Sequence, residues 1–248
     1  MSELSRSTGR RRWALRFFAG LCACLALPVL LIMQMPVVPA VGIAWDLANL
    51  LGYLALACCL LLFIYAGRPR RSPPFSGRFF ANLHRDIGYI ALILVIAHVG
   101  ILLVSEPLLL EHLKPTAPFY MLAGLMASLI LLFLVISSIP HWRRRIWPNY
   151  RHFKFLHAWL AVACVALCCW HVLVSQFYLN TGIKLVVGSL AAMAVFGFYL
   201  WGRYHGQGPA QRQSRLRDTA VYSHPIAYGS LVLLLIVAVG IAVLRVPQ

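Results

Sequence analysis

The sequence predicts an all-α integral membrane protein with about seven transmembrane helices. Apolar residues make up 61% of its 248 residues and charged residues only 11%, and the mean hydropathy is +0.80. A water-soluble domain has too little interior to hide so much apolar surface, so a soluble enzyme and a nucleic-acid-binding domain are both excluded. The apolar residues also fall in runs of about 20, the length of helix that crosses a bilayer.

Seven such runs follow one another along the chain. They lack the alternation of polar and apolar residues that a membrane β-strand needs, so each run is predicted to be helical. The connections between them are short and contain neither a dinucleotide fingerprint nor a Walker sequence. We therefore expect no FAD or NAD(P) site on this chain. The approximate spans are 17–37, 43–66, 87–104, 119–139, 155–177, 185–201 and 225–244.

The 22 basic residues predict how the helices are oriented in the membrane. Nineteen of them lie in the N-terminal arm and in the second-to-third, fourth-to-fifth and sixth-to-seventh connections. Basic loops remain in the cytoplasm, so we expect a bacterial inner-membrane protein with its N-terminus inside and its C-terminus outside. These cations are expected to contact anionic membrane lipid, and we expect no nucleic-acid partner.

Four of the nine histidines lie on predicted transmembrane helices. His84 and His98 belong to the third helix, and His157 and His171 to the fifth, with a spacing of fourteen residues in both cases. Fourteen residues are close to four helical turns, so the two rings of each helix share a face and are separated by about 21 Å. Both helices run outward, which predicts two facing pairs: His84 with His157 at the inner level, and His98 with His171 at the outer level.

Facing neutral imidazoles in a dry helix bundle can fill the two axial positions of a haem iron. The faces between the histidines carry small residues that leave room for a flat macrocycle, although small residues also favour helix packing without a cofactor. A zinc site is disfavoured because each level supplies only two ligands. The small residues are Gly88, Ala91 and Val95 on the third helix and Ala161, Cys164 and Cys168 on the fifth.

An alternative is a proton-coupled membrane transporter that uses the intramembrane histidines as a relay. Such a protein would usually also carry acidic residues within its spans or broken helices. In this sequence Asp46 and Asp86 lie near the ends of spans, and Pro28 is the mid-span proline. The histidine spacing favours haem ligation over the relay.

Two segments resemble the third and fifth helices of the ferric reductase-like transmembrane domain, LHRDIGYIALILVIAHVG and RHFKFLHAWLAVACVALCCWHVLVS. That superfamily includes the membrane parts of ferric reductases and NADPH oxidases and the haem subunit of the methionine sulfoxide reductase system. The resemblance covers about residues 45–202. It implies two b-type haems stacked across the bilayer, the inner one held by His84 and His157 and the outer one by His98 and His171.

The function expected from this resemblance is transmembrane electron transfer, from a cytoplasmic flavoprotein or a quinol to an exterior acceptor such as ferric iron or a periplasmic enzyme. The sixth predicted helix is followed by a basic loop and a seventh span where full-length reductases have a flavin domain. We therefore expect a haem-bearing membrane subunit of an oxidoreductase that receives electrons from another molecule. Arg85, Arg151 and Lys154 lie near the inner histidines and could pair with haem propionates.

The expected organisation has five parts, in which the haem-binding domain is flanked by additional helices and basic segments. They are a basic cytoplasmic arm (1–16), an extra helix with a short external turn (17–42), the ferric reductase-like haem-binding domain (43–201), a basic cytoplasmic loop (202–224) and an additional C-terminal helix (225–248).

Overall fold

A computed structural model describes residues 3–33, 42–65, 75–175 and 220–244, together with single helical positions between 182 and 197. These residues form helices and their connections, and no strand occurs among them, as the sequence predicts. A 3-10 helix (Pro107–Leu113) separates the third and fourth α-helices. The α-helices are α1 (Glu3–Met33), α2 (Gly42–Ile64), α3 (Gly77–Ser105), α4 (Phe119–Ser138), α5 (Pro140–Ile146), α6 (Tyr150–Ser175) and α7 (Ser223–Leu244).

Among the residues that the structure describes, five helical segments are long and apolar enough to cross a membrane. They are α2, α3, α4, α6 and the Ala220–Val237 segment, which contains most of α7. They correspond to the second, third, fourth, fifth and seventh predicted spans, and the chain is therefore a multi-pass membrane protein. Most of the first predicted span, 17–37, falls in α1, which is not among the five, and its last four residues lie outside the described residues. Most of the sixth span, 185–201, also lies outside the described residues.

Local sequence features determine where α3, α5 and α6 begin. The hydroxyl of Ser76 accepts a hydrogen bond of 3.1 Å from the backbone N–H of Phe79 and so caps α3. Pro140 stands in the first turn of α5, where a missing N–H costs no helical hydrogen bond. At the start of α6, the side-chain oxygen of Asn149 accepts a hydrogen bond of 2.8 Å from the backbone N–H of Arg151.

The chain forms two compact units. Unit 1 comprises residues 1–37, 57–90 and 193–248, and unit 2 comprises residues 38–56 and 91–192. Within unit 1, α1 packs against α7. Within unit 2, α4 packs extensively against α6, and α5 contacts the neighbouring α4.

An aromatic cluster fills the core of unit 1 at the start of α3. Phe79 and Phe80 are 0% exposed and Phe75 is 2% exposed. The ring of Phe17 on α1 meets those of Phe75 and Phe79 edge-on, at centroid distances of 5.8 and 5.6 Å. The ring of Tyr65 stacks on Phe80 at 6.2 Å. The cluster therefore fixes the first turns of α3, directly before the turn that carries His84.

Removal of one ring from this cluster should destabilise the protein. Phe79→Ala leaves a cavity beside three other aromatic rings, and we expect it to lower the free energy of unfolding by about 3–5 kcal/mol. The measurement is thermal or denaturant unfolding of the purified protein in detergent. The matched control is Phe155→Ala, because Phe155 is 62% exposed and leaves no buried cavity. Equal destabilisation by the two variants would contradict the assignment of this cluster to the core.

Candidate functional site

The four predicted ligand histidines lie on two continuous helices. His84 and His98 are on α3, and His157 and His171 are on α6. All four side chains are partly buried. His98, His157 and His171 belong to unit 2 and His84 to unit 1.

The two histidines predicted to lie at the outer level, His98 and His171, are each hydrogen-bonded to the backbone of a neighbouring helix. The Nδ1 atom of His98 lies 2.7 Å from the carbonyl oxygen of Ala48 on α2. The Nδ1 atom of His171 lies 2.9 Å from the carbonyl oxygen of Tyr120 on α4. A carbonyl oxygen can only accept, so in both rings the Nδ1–H is the donor.

A glycine lies under each of these two rings. A Cβ atom added to Gly52 on α2 would come within 3.0 Å of the His98 ring, and one added to Gly124 on α4 would come within 2.8 Å of Nδ1 of His171. Both glycines stand four residues after the carbonyl acceptor, so one helical turn provides the acceptor and the space for the ring. The absence of a side chain there allows each imidazole to lie directly against the helix backbone.

The two histidines predicted to lie at the inner level, His84 and His157, contact residues at the C-terminal ends of the same two helices, α2 and α4. The Nδ1 atom of His84 lies 3.0 Å from the carbonyl oxygen of Tyr65, the residue that follows the last residue of α2. The Nδ1 atom of His157 lies 3.4 Å from the hydroxyl of Ser138, the last residue of α4. That hydroxyl donates its own proton to the carbonyl of Leu134 at 2.6 Å, so it accepts from the histidine.

The shared hydrogen-bonding pattern determines what these rings can do chemically. With Nδ1 protonated and donating, a neutral imidazole has its lone pair on Nε2, which is the atom that binds a metal. Metal-ligating histidines usually show such a second hydrogen bond, because it fixes both the tautomer and the ring orientation. The four residues therefore fit the role of axial haem ligands.

The two predicted pairs differ in how they are divided between the units. His98 and His171 both belong to unit 2. His84 belongs to unit 1 and His157 to unit 2. Among the residues that the structure describes, no group of three or more His, Cys, Asp or Glu side chains is arranged to hold a metal ion.

The small residues between the histidines have different surroundings. A Cβ atom added to Gly88 would meet no other atom within 4 Å, so this position is open. Ala91 is fully buried. Cys164 is also buried, and its thiol donates to the carbonyl of Ala127 at 3.4 Å. Cys164 therefore permits close packing of α6 against α4.

Two of the three cations predicted to pair with propionates already make other contacts. Arg85 Nε lies 3.5 Å from a carboxylate oxygen of Asp86. Lys154 Nζ lies 4.6 Å from the ring centroid of Tyr150. Arg151 is exposed near the start of α6. Their pairing with propionates stays a prediction.

A contact between a buried carboxylate and a histidine in unit 1 was not expected from the sequence. Asp86 on α3 is 1% exposed, and one of its carboxylate oxygens lies 2.7 Å from Nδ1 of His224 at the start of α7. A buried carboxylate is costly unless it is paired, so this contact ties α7 to α3. The two residues are far apart in the chain, and the sequence contained no spacing signal that would join them.

Comparison with known proteins identifies the family of this region. Residues 51–168 match the family model described as the ferric reductase like transmembrane component. The matched region includes His84, His98 and His157 and ends three residues before His171. Searches of curated proteins and of solved structures gave no significant match. Residues 51–168, which include α3, α4 and the first part of α6, thus match a ferric reductase-like transmembrane domain, as the resemblance in sequence predicted.

Proposed function

We propose that this protein transfers single electrons across the membrane through two b-type haems. His84 and His157 would bind the inner haem iron, and His98 and His171 the outer one. Domains of this family usually bind haem, and the family match itself suggests transmembrane electron transfer. A haem iron with two imidazole ligands supplies a one-electron redox couple with no position open for substrate.

The observation that carries the proposal is the common orientation of the four imidazoles. In each ring Nδ1 contacts an acceptor on or directly after a neighbouring helix. When Nδ1 carries the proton, the lone pair that can bind an iron is on Nε2. A structural histidine needs only one satisfied nitrogen and no particular tautomer. The same tautomer in all four rings, at two matched spacings, supports paired axial ligation.

The residues around the histidines would insulate the site and orient its ligands. Apolar helices keep water away from the electron path, and the backbone acceptors hold the rings in position during oxidation and reduction. Arg85, Arg151 and Lys154 would balance the propionate charges at the inner level. Axial ligands, second hydrogen bonds and nearby charge are the means by which a protein sets a haem potential.

The proposed direction is from the cytoplasm to the exterior of a bacterial inner membrane, with the N-terminus inside and the C-terminus outside. The donor would be a separate flavoprotein or a quinol. Domains of this family usually pair with a flavin domain, which supports a flavin-based donor. The acceptor would be ferric iron or a periplasmic enzyme, and the protein would act as the haem-bearing subunit of an oxidoreductase.

The second candidate function is a proton-coupled transporter with a histidine relay. The buried Asp86 and its contact with His224 favour it, because such proteins use carboxylates within the membrane. A relay, however, needs imidazole rings in which both nitrogens can exchange protons with partners that change. The anchored Nδ1 atoms of His98 and His171 favour ligation instead.

The haem content of the purified protein tests the proposal. The wild-type protein should contain two haems per chain and give reduced b-type absorption bands. His171→Ala should lose one of the two haems, because the outer iron then lacks an axial ligand. Pyridine haemochrome analysis gives the stoichiometry, and the optical spectrum gives the haem type.

The matched control is His152→Ala, which removes an exposed histidine from the same helix. That variant should keep both haems. A haem-free wild-type protein would contradict the proposal, as would a double variant, His98→Ala with His171→Ala, that retains the full haem complement. Haem-free protein that takes up protons in vesicles would favour the transporter.

The glycine under His171 should also affect haem binding, but less than the ligand itself. Gly124→Ala places a methyl group within 2.8 Å of Nδ1, so the ring must move away from its carbonyl acceptor. Loss of the hydrogen bond made by the histidine nitrogen that does not bind the metal weakens metal binding by on the order of tenfold. We therefore expect faster haem loss and an altered low-spin signal for one haem in electron paramagnetic resonance.

The matched control for this variant is Gly20→Ala, because a Cβ there would meet no atom within 4 Å. It should retain both haems with the wild-type spectrum. Normal haem retention and an unchanged resonance signal in Gly124→Ala would show that the glycine contact is irrelevant to ligation.

A further inference from the structure

The connection between α4 and α6 forms a strongly basic surface in unit 2. We call it the basic ridge and define it as residues 140–154, which contain five Lys or Arg residues and no acidic residue. Arg144 and Arg145 are exposed on α5, and Arg151 and Lys154 are exposed on the first turns of α6. The whole ridge lies within unit 2. Such a concentration of one charge attracts a surface of opposite charge.

Aromatic rings hold two of these cations in place. The guanidinium of Arg143 lies 5.5 Å from the ring centroid of Tyr150 and 5.9 Å from that of Phe153. The ammonium of Lys154 lies 4.6 Å from the ring centroid of Tyr150 on the same turn of α6. Cation–π contacts of this kind restrict flexible basic side chains. The ridge therefore presents part of its charge in a fixed arrangement.

A row of rings leads from the ridge to a predicted haem ligand. Tyr150 is 54% exposed, and its ring stacks on Phe153 at a centroid distance of 5.9 Å. The ring of Phe153 lies 5.2 Å from that of His157. Electron transfer becomes faster as the distance between donor and acceptor falls. The exposed end of this row is thus a favourable point for electrons to enter.

We propose that the basic ridge is the docking site for a soluble electron-donor protein with an acidic surface, which delivers electrons at Tyr150. This inference rests on the proposed function, because it needs a haem iron bound by His157. In the transfer step a reduced flavin of the donor would lose one electron, which a haem held by His157 would take up. No bond is formed or broken. Anionic lipid would satisfy the charges of the ridge but would give no role to the row of rings.

The experiment uses the full haem-loaded chain in nanodiscs of phosphatidylcholine, which carries no net charge. Reduced flavodoxin, an acidic flavoprotein, is the probe, and stopped-flow absorbance follows haem reduction at increasing ionic strength. Arg144→Glu with Arg145→Glu should lower the second-order rate by on the order of tenfold at low salt and flatten its salt dependence. The milder pair Arg144→Gln with Arg145→Gln should have an intermediate effect.

The matched control is Arg11→Glu with Arg12→Glu, which makes the same charge change at exposed positions of α1. It should keep the wild-type rate. All variants should show the wild-type haem spectrum and the wild-type rate of reduction by dithionite, because neither arginine pair contributes to haem binding.

The docking proposal would be overturned if the rate of haem reduction by flavodoxin changed neither with salt nor with the Arg144 and Arg145 substitutions. That result would leave the proposed function intact. The same holds if these substitutions weaken binding only to phosphatidylglycerol vesicles, which would make the ridge a lipid-binding surface. Absence of haem from the wild-type protein would overturn the proposed function, and the docking proposal with it.

Discussion

An imidazole inside the hydrocarbon region needs a partner for its N–H, because the surroundings contain no water to accept that proton. In this protein the partners come from two neighbouring helices. The carbonyl of Ala48 in the first half of α2 and that of Tyr65, directly after α2, accept from the histidines of α3. Tyr120 and Ser138, near the two ends of α4, have the same role for α6. Each histidine helix therefore makes two such contacts, which orient the four rings.

This requirement also explains why a glycine lies beside two of the histidines, and a buried carboxylate on α3 likewise has a partner. An imidazole reaches a helix carbonyl only where no side chain intervenes, which is the case at Gly52 and Gly124. On α3 the buried Asp86 is paired with His224 of α7, so the carboxylate is not left alone in an apolar environment. If the rings hold haem irons as proposed, their rigid placement would keep the change in structure small during electron transfer and so favour a fast rate.

The sequence could predict the helices and the histidine constellation, because both are properties of single segments. Apolar length identifies a span, and the spacing of fourteen residues puts His157 and His171 on one face without knowledge of any neighbour. The helix ends were less accurate. Helix α6 begins at Tyr150 and not near residue 155, because Asn149 caps it beyond the apolar run. The seven-residue α5 has no apolar run and was not predicted.

The partners of the histidines could not be predicted, for a physical reason. Every helical residue has a carbonyl group, so the sequence does not indicate which carbonyl will accept a hydrogen bond from His98. The contact with Ala48 joins residues that are 50 positions apart, and it depends on how α2 and α3 pack. The pairing of Asp86 with His224 depends in the same way on the packing of α7. Such contacts arise from tertiary structure and leave no local pattern.

The most direct measurement of the central claim is electron transfer across a sealed membrane. Ferricyanide is trapped inside proteoliposomes that contain the haem-loaded protein, dithionite is added outside, and valinomycin with potassium dissipates the charge that each electron carries. We predict that the trapped ferricyanide is reduced at a rate proportional to the protein content, and that vesicles carrying His98→Ala with His171→Ala reduce it no faster than protein-free vesicles. Reduction by wild-type vesicles at the protein-free rate would contradict transmembrane electron transfer through the four histidines.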